Sequence, residues 1–342
     1  MKALVLEEYN KLVYRDFPDP EILPDEVLVR IMACGICGSD VHGFDGSTGR
    51  RIPPIIMGHE ASGVIVETGP EVVRWKIGDR VTFDSTVYPL DDWYTVNGFY
   101  NLSDNREVLG VSPGGYRRHG AFAEYLAVPQ HILYRIPDSV TFEQAAMVEA
   151  AAVAFHAIRI SGMKAGDNCA VLGAGTIGIF AIKLLRISGA GKIIAIDVNP
   201  VKLSNALVNG ADAALDPGDN PEEAIKELTD LRGADIAFEA AGKEETVNLA
   251  VDCVRKGGTV ALIGNTSKAV EFPLQKAVTK EIKLQGSCAI RGEYDVILKL
   301  LAGRQLVVDD QISAVAPLKD GAAWFEKLYK REENLNKVIL VP

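Results

Sequence analysis

Two kinds of hydrophobic patterning divide this chain. From Met1 to about Arg135 the apolar positions fall in short runs, KALVLEE, EVLVRIMACG, ASGVIVETG, GDRVTF, AFAEYLAVP and ILYRIP, broken by Gly, Pro and Asp. Runs of that length and punctuation predict an all-β, partly closed barrel with long loops. From about Gly166 short apolar runs alternate with segments whose apolar residues recur at helical spacing. Strands are expected at 169–172, 193–197, 213–215, 236–239, 259–263 and 283–285, with helices at 177–187, 201–207, 222–229 and 246–254. Such alternation builds a parallel sheet, and six strands complete a doubly wound one. From about Ser287 the chain returns to mixed character and ends in an apolar strand, KVILVP. The expected class is α/β: a doubly wound parallel sheet over 157–286, inserted in a β-rich domain made of 1–156 and 287–342.

Composition narrows the partners. A length of 342 residues suits two domains with a core each. The formal charge of -10 argues against nucleic acid and against a basic membrane patch, because phosphate would be repelled on average. Small-molecule partners are expected. MKALVLEEYN carries acidic residues where a signal peptide needs an apolar run, so a cytoplasmic chain is expected. Cys34, Cys37, Cys169, Cys253 and Cys288 are odd in number and scattered, unlike a disulfide framework.

The run NCAVLGAGTIGIFAIKLL places Gly173-Ala174-Gly175-Thr176-Ile177-Gly178 between a strand and an amphipathic helix. In that context the loop and the helix N-terminus can hold a pyrophosphate. Gly173 allows the tight turn, Gly175 the close approach of phosphate, and Gly178 the packing of helix on strand. Asp197 ends the next strand, nineteen residues after Gly178, where a carboxylate accepts hydrogen bonds from a ribose diol and repels a 2'-phosphate. NAD is therefore expected over NADP, with Lys202 able to touch the same ribose.

Upstream, Cys37 lies in ACGICGSDVHGF, His59-Glu60 lie in IIMGHEASG, and Glu149 stands far along the chain. Cys, His and carboxylate are ligand types that Zn²⁺ accepts in a catalytic site with one position left open. Each residue taken alone has a blander explanation as a core or surface side chain. The Cys34-x-x-Cys37 pair lacks a thioredoxin context, and the apolar neighbours of Cys34 suit a buried side chain.

With CGICGSDVH, GHEASG, GDRV, AFAEY, EAAAVAFHA, GAGTIG and KVILVP in this order, the whole chain resembles the zinc-dependent medium-chain alcohol dehydrogenases. It looks most like their polyol and sorbitol dehydrogenase branch, since Glu149 stands where ethanol-type enzymes use a second Cys. The resemblance implies a Rossmann sheet inserted in a GroES-like catalytic domain and a homo-oligomer, dimer or tetramer. It implies that Cys37, His59 and Glu60 ligate zinc, and that Glu149 binds zinc or holds its water. Asp40 would orient the ligating His. The family's second, structural zinc uses four cysteines, and the matching positions here are Pro89, Asp92, Thr95 and Ser103. One catalytic zinc and no structural zinc are expected, with Trp93, Tyr94, Phe99 and Tyr100 packing the lobe instead.

The implied reaction moves a hydride between a secondary alcohol of a polyol or sugar derivative and NAD, the metal lowering the alcohol pKa. Ser39 and His42 match the family's proton relay. Arg117, Arg118 and Arg291 are candidate substrate residues, since a guanidinium can fork a carboxylate or phosphate. They keep a sugar-acid or sugar-phosphate dehydrogenase in view as an alternative. A zinc-free quinone reductase-like enzyme and a non-catalytic relative are the remaining readings.

Overall fold

Strand Glu26–Gly35 organises the β-rich part of the protein. In the computed structural model, which describes residues 1–111, 118–331 and 335–342, this strand pairs antiparallel with Glu60–Thr68, Tyr125–Pro129 and Lys337–Val341. The sheet runs Leu133–Arg135, Arg80–Phe83, Glu60–Thr68, Glu26–Gly35, Lys337–Val341, Ile312–Pro317. Val27, Val29, Ile31 and Ala33 are buried while Arg30 is exposed, the period-two pattern of a strand with one face in a core. A second sheet orders Lys11–Asp16, Lys2–Glu8 and Ile55–Ile56. Leu4, Leu6, Ile65, Phe83, Phe122, Phe325 and Leu340 belong to one buried cluster that includes side chains from both sheets.

By contact density the chain divides into two units, Met1–Glu149 with Ile290–Pro342, and Ala150–Ala289. The second unit holds a fully parallel sheet ordered Ala213–Leu215, Ile193–Ile196, Cys169–Leu172, Ala234–Glu239, Val254–Leu262, Lys283–Gly286. That is the doubly wound order, and its reversal lies between Cys169–Leu172 and Ala234–Glu239. Helices Thr176–Ile187, Pro200–Val208, Pro221–Leu228 and Glu244–Cys253 occupy the expected intervals. The fifth strand begins at Val254 rather than 259, because its polar start, Arg255-Lys256-Gly257-Gly258, hides it from a hydrophobic scan. Helix Val148–Ser161 has no expected counterpart either. It is buried on nearly every side, so its sequence shows no polar stripe to betray the period.

The lobe around 84–103 closes on hydrogen bonds. Asp92 caps the short helix Trp93–Val96 by accepting from Thr95 N at 2.6 Å, and its other oxygen accepts from Ser103 Oγ. Asp92, Thr95 and Ser103, three of the four positions that the resemblance matches to a structural-zinc set, are thereby joined through Asp92. The aromatic packing differs from expectation. Trp93 is 67% exposed, whereas Tyr100 stacks on Tyr88 at 4.2 Å, donates to Asp84 Oδ2 at 2.9 Å and accepts from Gly292 N at 2.7 Å.

Asp84 is buried, and burial pushes its carboxyl up to about 6 against the bonds from Thr86 and Tyr100. A carboxyl raised on folding favours the protonated folded state. Stability present at low pH is therefore lost as pH rises from the ordinary carboxylate range through 6. Asp84→Asn should raise the unfolding free energy by up to about 3 kcal/mol at neutral pH and by almost nothing near about pH 4, as read by denaturant unfolding at both.

Candidate metal centre and dinucleotide loop

The antiparallel pairing of Glu26–Gly35 with Glu60–Thr68 ends on the pair Gly35 and Glu60. Two residues past that end lies Cys37, and one residue before it lies His59, so strand register brings the two motifs to one edge. The ligand atoms of Cys37, His59 and Glu60 lie within 4.8 Å of one another. Bonds of about 2.0–2.3 Å to a tetrahedral zinc would draw the widest of these separations in. Cys37 caps the helix Gly38–Gly43, and its sulfur accepts from Ser39 N at 3.4 Å and Ser39 Oγ at 3.3 Å.

Behind the imidazole, Asp40 Oδ1 lies 3.5 Å from His59 Nδ1, too far for a hydrogen bond. His59 Nδ1 and Asp40 Oδ2 are both buried without a hydrogen-bond partner. Arg51, itself buried, donates to Asp40 Oδ1 from Nη2 at 2.7 Å and Nε at 3.2 Å. Burial alone would raise the Asp40 carboxyl, but His59 and Arg51 outweigh it and hold it well below the usual range. Burial likewise works against a charged His59, while Asp40 and Cys37 outweigh it and raise its pKa.

Glu60 is held from the other side. Lys337 Nζ, buried at the start of the C-terminal strand, donates to Glu60 Oε1 at 2.8 Å, Oε2 at 2.6 Å and the Ile36 carbonyl at 3.2 Å. Gly35 makes room for this pair, because a Cβ there would overlap Glu60 Oε2. Glu149, on helix Val148–Ser161, is not part of the three-residue cluster. Burial pushes its carboxyl up to about 7; Glu60 adds to the shift, while His59 and Lys337 oppose it. A thiol, an imidazole and a carboxylate gathered beside buried polar atoms that lack partners is a donor set suited to zinc. Ser39 and His42 lie on the same helix, both exposed.

In the other unit, Gly173 has φ +93, a conformation open to glycine, and a Cβ on it would come within 3.2 Å of Ala241. A Cβ on Gly178 would overlap the Gly173 carbonyl. Gly175 caps the twelve-residue helix that starts at Thr176, and Gly175, Thr176 and Ile177 are half-buried. Asp197 Oδ2 accepts from Ala174 N at 2.8 Å and Oδ1 from Asn199 N at 2.9 Å, which ties the carboxylate to the loop. Lys202 stands half-buried on the helix capped by Asn199.

The candidate substrate arginines are scattered. Arg118 pairs with buried Glu26 and with Glu107, Arg291 stacks over Phe99 at 4.8 Å, and Arg117 lies outside the described residues. Three residues escaped the reading of the sequence. Arg51 sits beside exposed Arg50 and reads as a solvated pair, while Lys337 was visible as a lone charge opening an apolar strand. The third is Glu239, fully buried, whose Oε1 accepts from Ala241 N at 2.9 Å, Gly242 N at 2.8 Å and Thr246 Oγ1 at 2.7 Å, fixing the turn behind Gly173.

Comparison with known proteins gives the family. Residues 23–138 match the alcohol dehydrogenase GroES-like domain and residues 176–303 the zinc-binding dehydrogenase family. D-xylulose reductase of Saccharomyces cerevisiae is 32% identical, with 99% of this chain and 97% of that protein aligned. Galactitol-1-phosphate dehydrogenase of Escherichia coli superposes with a TM-score of 0.92 at 28% identity, covering 100% of both chains. A zinc-binding dehydrogenase of Sinorhizobium meliloti 1021 bound to NADP gives a TM-score of 0.91 at 30% identity, over 100% of this chain and 99% of that one. The chain belongs to the zinc-dependent medium-chain alcohol dehydrogenases, in their polyol dehydrogenase-like branch. It is thus an oxidoreductase that uses zinc and a nicotinamide cofactor.

Removing one partner of a buried ion pair strands the other charge, at about 3–5 kcal/mol. Lys337→Met should lower the unfolding free energy of the metal-free protein by about that amount. Most of the loss should disappear when Glu60→Gln is added, which a double-mutant cycle measures.

Proposed function

We propose that this protein is an NAD-dependent dehydrogenase that oxidises a secondary alcohol of a polyol or sugar derivative, with one catalytic zinc and no structural zinc. The observation that carries the reading is the convergence of Cys37, His59 and Glu60 within 4.8 Å. These three would hold the ion, and Glu149 would hold the water or hydroxyl at the open position. Bound zinc supplies a Lewis acid that lowers the pKa of an alcohol, and NAD supplies the hydride acceptor. Arg51 holds Asp40 in place beside His59, and Lys337 holds the Glu60 carboxylate in place. Ser39 takes the proton released from the alcohol and passes its own to His42, whose exposure opens it to solvent.

Asp197 favours NAD, because its carboxylate stands on the loop that would face the ribose and would repel a 2'-phosphate. A neutral polyol or sugar is favoured over a phosphorylated one, since Arg118 is already matched by two carboxylates. Galactitol-1-phosphate dehydrogenase keeps the phosphorylated class as a second reading. In the lobe, Asp92 accepts from both Thr95 N and Ser103 Oγ, which supports a single zinc. Among the described residues no helix is long and apolar enough to cross a membrane. We place the protein in the cytoplasm as a homo-oligomer, dimer or tetramer.

Incubation of the zinc-loaded enzyme with NAD⁺ and a panel of polyols, sugar acids and sugar phosphates should yield NADH fastest with a polyol or unphosphorylated sugar. Cys37→Ser should abolish turnover while NAD binding survives; retained turnover would refute its role. Asp197→Ala should erase the preference for NAD over NADP, as the ratio of kcat/KM for the two cofactors. An unchanged ratio counts against the ribose assignment.

A further inference from the structure

Arg51 lies in the loop between helix Gly38–Gly43 and strand Ile55–Ile56, with only 2% of its surface exposed. Its Nη2 makes two contacts, 2.7 Å to Asp40 Oδ1 and 3.1 Å to Ser39 Oγ. Nε adds a third at 3.2 Å to the same Asp40 oxygen. Helix residue Gly43 makes way for the stem: a Cβ on Gly43 would stand 2.5 Å from Arg51 Cγ. A guanidinium only donates, so Ser39 Oγ is the acceptor in its bond to Arg51. The single hydroxyl proton is then free to be given, and in this structure it faces Cys37 Sγ at 3.3 Å.

We propose that Arg51 is the positioning residue of the proton exit: anchored on Asp40, it takes one lone pair of the Ser39 hydroxyl and so leaves one place to receive a proton and one proton to give. The proposal rests on the relay through Ser39 set out above. Arg51 occupies one of the two lone pairs on Oγ. When the alcohol proton arrives on the remaining lone pair, the proton already present turns from Cys37 Sγ, its O–H bond breaks and it moves on toward His42. One proton enters, one leaves, and Ser39 ends neutral. Without Arg51 the hydroxyl is free to rotate and either lone pair can be presented, so fewer encounters are productive. Charge balance for Asp40 alone would not require the Ser39 contact, which the planar fork makes possible while its other donor stays on the carboxylate.

The test uses the full-length, zinc-loaded enzyme and the polyol that gives the fastest NADH formation. Arg51→Lys keeps a cation beside Asp40 but loses the fork. Gly43→Ala keeps the arginine and displaces it, and carries the same test should Arg51→Lys fail to fold. Either variant should lower kcat about tenfold, a fraction of the effect of a positioned acid–base group. KM for the alcohol and retention of zinc against a chelator should not change, and the solvent deuterium isotope effect on kcat should rise. Added to Ser39→Ala, the same substitution should cost nothing further. An equal loss of kcat with and without Ser39, or a loss of zinc in place of the isotope effect, would overturn the role of Arg51 and leave the relay standing. Full kcat in Ser39→Ala itself would overturn the relay, and the proposal with it.

Discussion

Four charged side chains buried at one sheet edge must be matched, and the candidate centre is arranged around that constraint. Asp40 faces Arg51 and Glu60 faces Lys337, each pair with short contacts and little solvent. In a low-dielectric site an unmatched carboxylate would take up a proton or drive a rearrangement. The two pairs therefore leave His59 and Glu149 as the groups whose protonation a metal could decide. Glu149 illustrates the point: with neither a lysine nor an arginine paired to it among the described residues, burial lifts its carboxyl to about 7. The same pairs hold geometry as well as charge. Gly35 has no side chain because the Glu60 carboxylate occupies that space, and Gly43 has none because Arg51 does.

The lobe between Asp84 and Ser103 solves a similar problem without buried cations. Its short helix is capped by Asp92, whose second oxygen takes Ser103, so a closed loop of neutral donors around one carboxylate holds the segment. Tyr100 then ties the lobe to Gly292, two residues into the C-terminal part of the same unit. The cost is concentrated on Asp84, a carboxylate buried under tyrosines. In the other unit Glu239 plays the corresponding part, with three donors on one oxygen fixing the turn against which Gly173 packs.

Much of this was legible in the residues. The strands Cys169–Leu172 and Ala213–Leu215 have the expected bounds, since β-branched or alanine-rich runs between turn residues have few other solutions. The glycine loop declared itself because strand, loop and helix are consecutive, so its geometry is local. Helix Val148–Ser161 was hidden because amphipathic contrast vanishes when every side is buried. Trp93 misled for a related reason: a large aromatic suggests a core, but on this four-residue helix it meets Tyr94 edge-on and stays 67% exposed.

The sequence by itself determined the class of fold, the family and the ligand types, all of which depend on the order of local patterns along the chain. Tertiary structure decided which charges stand together. Lys337 meets Glu60 across 277 positions and Arg51 meets Asp40 across eleven, and neither contact follows from spacing. Both depend on strand register and loop path, which place the end of one strand beside the start of another. A side chain's partner is a property of that register, and periodicity along the chain carries no record of it.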